Sequence, residues 1–255
     1  MINLISWIIN YFEKPVKFDL LDKWISKNHV KILDVGCGNH SASKTKKYYP
    51  NCIYYGLDRD KNYNNDVADF KAMEKFYEVD ISRNSNKLEV LPNNFFDCII
   101  LSHVIEHLIN GQDIILHLLS KLKKGGVIYI EFPSQRSLYL PSMKGTLNFY
   151  DDLTHKKTYQ IKEIERLLKS KSFSIVKSGT RRSPKRILFL SIYLLGSLIN
   201  LGYISGHVFW DILGFANYII AQKIGKFYRE RTVEKFNLKK MGKEYQKMHN
   251  GLLRS

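Results

Sequence analysis

Short apolar runs alternate with stretches of helical pattern along most of the chain, and this alternation constrains the fold more than any other feature of the sequence. Strands that are separated by helices cannot pair as simple hairpins, so they favour a parallel sheet with helices on both faces. In such α/β sheets, ligands bind beyond the carboxyl ends of the strands. The predicted strands are residues 31–35, 53–57, 76–80, 97–101, 126–132, 173–177 and 215–222.

The pattern also predicts how the chain is divided. One helix is expected to run to Leu122 and to end at the Lys-Lys-Gly-Gly stretch of residues 123–126, since basic residues and glycine are typical of helix ends. The predicted parts are an N-terminal helical lead over residues 1–30, a main domain over 31–222 and a basic helical tail over 223–255.

The formal net charge of +16 narrows the choice of partners without specifying a fold. Nucleic acid, an anionic membrane surface and an acidic substrate all fit this charge, and so does a biased base composition. The cysteines, Cys37, Cys52 and Cys98, are odd in number and lack C-x-x-C spacing, which excludes a disulfide framework and a zinc knuckle. The first residues lack a basic region and a cleavage site. We therefore expect a cytoplasmic protein.

Residues 187–210 form an unusual apolar stretch, within an insertion expected over residues 184–214. Positions 187–204 contain no charged side chain, and basic residues such as Arg181 and Arg186 precede them. The length just reaches that of a membrane span, but serine, asparagine and glycine dilute the apolar character. We weigh a buried or lid helix first, an interfacial membrane-docking helix second and a span last. The basic flanks favour docking on the anionic inner face of a membrane.

Three carboxylates stand where successive predicted strands end. Asp34 lies in the run KILDVGCG of residues 31–38, Asp58 ends the second strand and Asp80 follows the third. A phosphate-binding turn would offer bare backbone amides, usually as G-x-G-x-x-G, whereas here an acidic residue precedes the glycines. The pattern suits a cationic ligand without phosphate, such as S-adenosylmethionine (SAM). A carboxylate that ends a second strand can accept both ribose hydroxyls of such a ligand.

Together these motifs resemble those of the class I SAM-dependent methyltransferases, in the small-molecule and glycan-associated branch (type 11/23-like), over roughly residues 25–180. The resemblance implies a Rossmann-like, doubly wound, mostly parallel seven-stranded sheet with helices on both faces, plus the hydrophobic insertion and a basic C-terminal helix. It also implies S-adenosyl-L-methionine as the cofactor. The residues that it assigns to cofactor binding are Asp34, Gly36, Gly38, Asp58, Asp80, Ile81 and Ser102.

The resemblance also implies what these residues do. Asp34 supports the methionine amino end, and Asp58 holds the ribose. The turn Asp80-Ile81 contacts the adenine, and the backbone at Ser102 faces the methionine part. His40 stands where the family often has a third glycine. We expect this departure to narrow the mouth of the pocket.

The run FDCIILSHVIEHL of residues 96–108 resembles the family's fourth motif, and it brings His103, Glu106 and His107 within one and a half helical turns. Capping and packing is one interpretation. General acid/base work by His103, whose near-neutral pKa suits deprotonating a hydroxyl, is another. The third is a divalent metal site with His155, as in the small-RNA 3′-terminal 2′-O-methyltransferases and certain quinone methyltransferases. Because His103 replaces the first glutamate of that site, we expect no metal.

The run NFYDDLTH of residues 148–155 resembles the D-x-T-H stretch of methyltransferases encoded beside polysaccharide and glycan genes. The resemblance puts His155 on the substrate side, so His155 and His103 are the predicted catalytic residues. Other residues expected near the acceptor are Glu131, Ser134, Tyr150 and Asp151.

The sequence therefore predicts a SAM-dependent methyltransferase that methylates a hydroxyl, or less readily an amine, of a small-molecule or glycan/lipid-linked acceptor. We expect it in the cytoplasm, peripheral to the inner face of a membrane through the apolar stretch. One alternative is an RNA 2′-O-methyltransferase with a divalent metal, although no basic-aromatic recognition module for nucleic acid stands out. Another is a non-catalytic SAM-binding scaffold.

Overall fold

One mixed sheet of seven strands organises the part of the chain that the structure describes. The computed structural model describes residues 14–224, apart from positions 62 and 83. The strands are β1 (Lys31–Val35), β2 (Ile53–Asp58), β3 (Lys75–Glu78), β4 (Phe96–Ser102), β5 (Leu122–Pro133), β6 (Phe173–Thr180) and β7 (Ala216–Lys223). Their order is β3-β2-β1-β4-β5-β7-β6, with β7 antiparallel to β5 and β6 and the other pairs parallel. This confirms the predicted fold class.

The helices connect these strands and cover the sheet. The α-helices are α1 (Val16–Ile25), α2 (Ser41–Tyr48), α3 (Val67–Ala72), α4 (Gly111–Lys121), α5 (Ile161–Ser170), α6 (Pro184–Leu188), α7 (Leu190–Leu201) and α8 (Trp210–Leu213). Short 3₁₀ helices span Ser85–Val90, Ile105–His107, Gln135–Tyr139, Phe149–Asp151 and Gly206–Phe209.

The sheet has a hydrophobic core on each face, as expected for a doubly wound fold. Neighbouring residues Ile32 and Leu33 of β1 belong to opposite cores, because successive side chains of a strand point to opposite faces. Phe18 and Leu21 of α1 pack into the core that contains Ile32, whereas Leu118 of α4 packs into the other. Ile32 and Leu33 are both fully buried, which explains why apolar residues stand at consecutive positions of β1.

The predicted end of one helix is correct to within one residue, but the stretch after it is part of a strand and not a helix cap. Helix α4 ends at Lys121, and Leu122 already pairs with Phe96 of β4, so the Lys-Lys-Gly-Gly stretch belongs to β5. Lys123 is held at the sheet by an ion pair between its Nζ and Asp97 Oδ1 at 2.7 Å. Strand pairing and this ion pair therefore override the local preference of the stretch for a helix end.

The apolar insertion lies between β6 and β7, as predicted, but it does not form one buried helix. It folds as the short helices α6, α7 and α8, and many of its aliphatic side chains are exposed. No helix among the described residues is long and apolar enough to cross a membrane. The span, which the sequence analysis weighed last, is therefore not found in this part of the chain.

The described residues include only part of the predicted division into a helical lead, a main domain and a basic tail. Helix α1 occupies the described end of the lead, and β7 runs to Lys223, one residue past the predicted limit of the main domain. Residues 1–13 and the basic tail from position 225 lie outside the described residues. The three-part division stays a prediction.

Candidate functional site at the carboxyl edge of the sheet

The loop after β1 is where the first predicted motif reaches the carboxyl edge of the sheet. Gly36 has a φ of +75°, and its amide donates to the carbonyl of Leu57 at 2.8 Å. A Cβ on Gly36 would lie 2.6 Å from Cγ2 of Val104, and a Cβ on Gly38 would lie 2.6 Å from the ring of Tyr63. The glycines are needed because neighbouring side chains pack directly against this backbone.

We expect Gly36→Ala to lower the free energy of unfolding by more than the left-handed backbone alone accounts for. Gly125 is the matched control, because it has a similar φ of +78° but open space around a Cβ. Gly125→Ala should cost about 1–2 kcal/mol for its conformation, and Gly36→Ala about 1–3 kcal/mol more for the clash with Val104. Urea unfolding of both variants measures the difference. Equal losses would contradict the close packing.

Asp58 ends β2 with its carboxylate fixed by the backbone. Its Oδ1 accepts hydrogen bonds from the amides of Arg59 at 2.7 Å and Asp60 at 3.4 Å, and its Oδ2 accepts one from Gly38 at 3.3 Å. Each carboxylate oxygen has two lone pairs, so Oδ2 keeps one for a ligand, whereas a ligand at Oδ1 would compete with the long bond from Asp60. The bond to Gly38 also shows that the two predicted motifs meet.

Asp34 lies beneath this loop and is almost fully buried. Burial raises the pKa of its carboxyl, while the charge of Lys17 and the hydroxyl of Tyr54, which donates to Oδ2 at 2.8 Å, oppose that rise. The neighbouring positive charge therefore helps to keep a negative charge under the loop.

The predicted adenine turn lies one strand further along the edge. The hydroxyl and the amide of Ser82 both lower the pKa of Asp80, and the amide donates to Asp80 Oδ1 at 2.9 Å. Ile81 is buried in the core rather than standing out from the turn. His40 adopts a φ of +58°, the left-handed conformation that favours glycine, which explains the family preference at this position. Its Nδ1 lies 2.7 Å from Asp69 Oδ2.

A cavity of about 260 Å³ opens beside this loop. Its wall brings together residues that are distant in sequence, including Ser102 and His103 from the end of β4. Lys17 of α1 and Lys44 of α2 also line it, and burial together with the charge of Lys17 lowers the pKa of Lys44. Two ammonium groups at one cavity favour an anionic group between them. The sequence analysis did not single out either lysine.

Glu131 of β5 and Arg181 after β6 form a buried ion pair in the cavity wall. Arg181 Nη1 lies 2.7 Å from Glu131 Oε1, and Arg181 Nε lies 2.6 Å from Asp211 Oδ1. Arg186 closes the network with its Nε 3.0 Å from Asp211 Oδ2. Burial alone would raise the pKa of Glu131, but Arg181 and His103 hold it well below its usual range. The basic flank of the insertion is therefore part of the site.

The insertion also contributes an aromatic wall. The ring of Trp210 stacks on Phe215 with centroids 4.4 Å apart and lies 4.9 Å from the ring of His103. Ser134, by contrast, donates to the carbonyl of Gly214 at 2.8 Å and is buried. Ser134 therefore fixes the start of β7. Contrary to the expectation that Ser134 lies near the acceptor, its hydroxyl does not face the cavity.

His103 is clamped between two carboxylates. Its Nδ1 lies 3.0 Å from Glu106 Oε1 and its Nε2 lies 2.9 Å from Glu131 Oε1. Burial alone would lower the pKa of His103, but Glu106 and Glu131 raise it to about 9. Near neutral pH the ring is a cation, so this geometry favours a positioning role over the predicted role as a base. The residue has a φ of +57°, so it is not part of a helix as the spacing suggested.

Glu106, His107 and His155 form a second cluster that His103 joins to the cavity. One potential ligand atom from each of the three lies within 4.8 Å of the others. Glu106 is fully buried, and its Oε2 has no hydrogen-bond partner among the described residues. The backbone ties the two segments together, since the amide of Lys156 donates to the carbonyl of Glu106 at 2.8 Å.

Hydrogen bonds fix the tautomer of both histidines in this cluster. The hydroxyl of Thr154 donates to Asp152, so it accepts from Nδ1–H of His107, at 2.8 Å. Nδ1 of His155 donates to the carbonyl of Phe149 at 2.6 Å. Both rings are thus left with an unprotonated Nε2 when neutral, and burial lowers the pKa of His107.

Asp151 organises the loop before His155. Its Oδ2 accepts hydrogen bonds from the amides of Met143, Leu147 and Asn148. Burial acts against it, but the hydroxyl of Ser142 and these amides lower the pKa of Asp151 to about 2. Asp151 therefore holds the loop in shape, whereas Tyr150 is exposed.

Comparison with known proteins gives the family. A family model described as "Methyltransferase domain" matches residues 10–178, which is more than half of the chain. None of the curated proteins matches the chain in sequence.

Solved structures share the fold at low sequence identity. A SAM dependent methyltransferase from Archaeoglobus fulgidus is 22% identical, with a TM-score of 0.55 over 81% of this chain and 91% of the other. An S-adenosylmethionine dependent methyltransferase from Mesorhizobium loti is 11% identical, with a TM-score of 0.56 over 82% and 98%. The [4+2]-cyclase SpnF is 17% identical, with a TM-score of 0.52 over 81% and 80%. Proteins with the same architecture thus carry out different reactions, so the function of this chain has to be argued from the residues of its site.

Proposed function

Because the chain belongs to the methyltransferase domain family, we propose that it transfers the methyl group of SAM to a hydroxyl of a small-molecule or glycan/lipid-linked acceptor. The observation that carries the choice of a hydroxyl is the fixed tautomer of His155. Its Nδ1–H is committed to the carbonyl of Phe149, and its side chain is buried beside Glu106. A hydroxyl acceptor needs a base for its proton, whereas an amine acceptor needs only to be neutral.

The residues around the loop suit the chemical groups of SAM. Asp58 keeps a free lone pair on Oδ2 for a ribose hydroxyl, and Asp34 places negative charge beneath the cationic end. Lys17 and Lys44 face the cavity where a carboxylate would relieve their mutual repulsion. When bound, SAM supplies a methyl group on a sulfonium that is ready to leave as a neutral thioether. The protein therefore mainly has to align the acceptor oxygen with the methyl carbon.

In this proposal His155 takes the proton of the acceptor hydroxyl on Nε2 as the oxygen forms its bond to the methyl carbon. The carbon–sulfur bond breaks at the same time, and its electron pair stays on the sulfur. His103, as a cation between Glu106 and Glu131, holds both carboxylates in place and excludes water from the wall. The proton on His155 leaves to solvent after the product departs.

Transfer of a deuterated methyl group from SAM to extracts of small molecules and lipids tests the proposal. We expect the label in a methyl ether, which withstands mild base that removes a methyl ester, and loss of most transfer in His155→Ala. Label found only on nitrogen would contradict a hydroxyl acceptor. SAM binding without transfer to any acceptor would favour the non-catalytic scaffold.

A second candidate is metal-assisted methylation of an RNA 2′-hydroxyl, and the buried Oε2 of Glu106 favours it. An uncompensated buried carboxylate oxygen beside two imidazole nitrogens is a donor set that suits a divalent ion. Glu106, His107 and His155 would hold the ion, which as a Lewis acid would acidify the bound hydroxyl. The hydrogen bonds to Thr154 and Phe149 would orient both imidazole rings.

Titration with Mn²⁺ separates the two candidates. If the cluster holds a metal, Glu106→Gln and His107→Ala should each weaken Mn²⁺ binding by roughly tenfold or more, and EDTA should stop methyl transfer. Asp66→Asn is the control, because His40, Asp66 and Asp69 form another possible ligand group. If His155 acts as the base without a metal, His107→Ala should keep most activity, and EDTA should have no effect.

A further inference from the structure

Helix α7 reverses the usual arrangement of a surface helix. A helix of a globular protein normally turns its apolar stripe to the core. In α7, Ser197 is buried, whereas Leu195 and Ile199 are 58% and 72% exposed. The hydroxyl of Ser197 is built into the fold, since it donates to the carbonyl of Tyr203 and accepts from the amide of Ser205, both at 2.9 Å. The outward direction of the leucines is therefore fixed by hydrogen bonds on the inner side.

The exposed side chains of α6, α7 and the loop after them form what we call the aliphatic face. Positions three and four apart on a helix are neighbours, so these side chains make a shared surface rather than scattered points. A surface of this kind marks an interaction site. The aliphatic face consists of Ile187, Leu188, Ile192, Leu195, Leu198, Ile199, Leu201 and Ile204.

Basic residues border the aliphatic face at both ends. Arg182, which is exposed, lies just before α6, and at the other end the exposed Lys144 places its Nζ 4.0 Å from the ring centroid of Tyr203. No aspartate or glutamate occurs between positions 182 and 210. A second copy of this surface would bring like charges together, whereas an anionic lipid surface would complement them.

We propose that the aliphatic face docks on an anionic lipid bilayer, with α6 and α7 lying in the interface and the basic border on the headgroups. Apolar side chains that enter the acyl boundary beside a basic rim are the features of an interfacial helix. The face adjoins the candidate site, because Arg186 of α6 pairs with Asp211, which lines the cavity. The acceptor would then be a hydroxyl-bearing amphiphile presented by the membrane, a step that rests on the proposed function.

Flotation of the full chain with vesicles tests the docking. Vesicles of phosphatidylcholine with phosphatidylglycerol should carry the protein, and vesicles of phosphatidylcholine alone should carry much less. The triple variant Leu188→Gln, Leu195→Gln, Ile199→Gln should reduce the bound fraction by roughly tenfold or more. The control variant Val67→Gln, Val90→Gln, Ile109→Gln changes equally exposed aliphatic residues elsewhere and should float like the wild type.

Three outcomes would overturn the proposal: no flotation with anionic vesicles, equal loss in both triple variants, or a dimer in solution that the first triple variant dissociates. Titration with S-adenosylhomocysteine in the absence of vesicles keeps the two proposals distinct. A variant that binds S-adenosylhomocysteine normally but no longer floats supports docking. A wild type that floats but does not bind S-adenosylhomocysteine contradicts the proposed function alone.

Discussion

Asp58→Ala is expected to weaken the binding of S-adenosylhomocysteine by roughly tenfold or more. The carboxylate has a free lone pair on Oδ2 for a ribose hydroxyl, and a hydrogen bond to a charged group contributes about 1.5–3 kcal/mol. Each 1.4 kcal/mol is a factor of ten in affinity. Isothermal titration calorimetry measures the change directly.

Asp60→Ala is the control for this experiment, because it removes a carboxylate two residues further along the same loop. We expect its affinity for S-adenosylhomocysteine to stay near that of the wild type. Thermal unfolding of both variants checks that the loop after β2 has not collapsed. An Asp58→Ala variant that is folded and binds with unchanged affinity would refute the assignment of the cofactor site.

Arg181→Met is expected to lower the free energy of unfolding by about 3–5 kcal/mol, the usual cost of removing one partner of a buried ion pair. The substitution leaves Glu131 and Asp211 buried without the guanidinium that lies 2.7 Å and 2.6 Å from them. Arg182→Met is the matched control, since Arg182 is exposed and, within the described part of the chain, donates to the carbonyl of Ile212. We expect its effect to stay within about 0.5 kcal/mol.

The loss of stability in Arg181→Met should also depend on pH, in a direction that the charge of Glu131 determines. In the wild type the pKa of Glu131 is depressed, so its contribution to stability is present above the pKa of the unfolded chain and is lost only in strong acid. In Arg181→Met burial would raise that pKa, so the variant is penalised most near neutral pH. The difference between the two proteins should therefore shrink as the pH falls from about 7 towards about 4. A difference that grows in acid would contradict the ion-pair explanation.

The contacts among the residues predicted to bind SAM could be foreseen from the sequence because these residues follow strand ends at short range. Asp58 and Gly38 belong to motifs twenty residues apart, and parallel strands bring such ends to one edge wherever the sheet forms. The glycines have a local cause that the sequence also carries, since Gly36 needs a left-handed backbone. Their assigned roles toward SAM stay predictions until binding is measured.

The contacts among the residues predicted to lie near the acceptor were harder to predict from the sequence. His103 and Glu106 are close in sequence, and their contact was expected, but Glu131 joins them from β5 and changes the charge of the imidazole ring. Arg181 was noted only as part of a basic flank, and the strand pairing of β6 with β7 carries it inward. The sequence signal that could have revealed the contact between Glu131 and Arg181 is that each is a charged residue near the end of a strand.

The sequence by itself determined the order of strands and helices, the glycine loop and the carboxylates at the strand ends, because these depend on periodicity and on local backbone needs. Only the tertiary structure decided that the Lys-Lys-Gly-Gly stretch belongs to β5 and that the insertion exposes its leucines. It also decided that Trp210 and Asp211 of the insertion complete the cavity wall. These features depend on contacts between segments far apart in the chain, and local preference carries no information about which segments will meet.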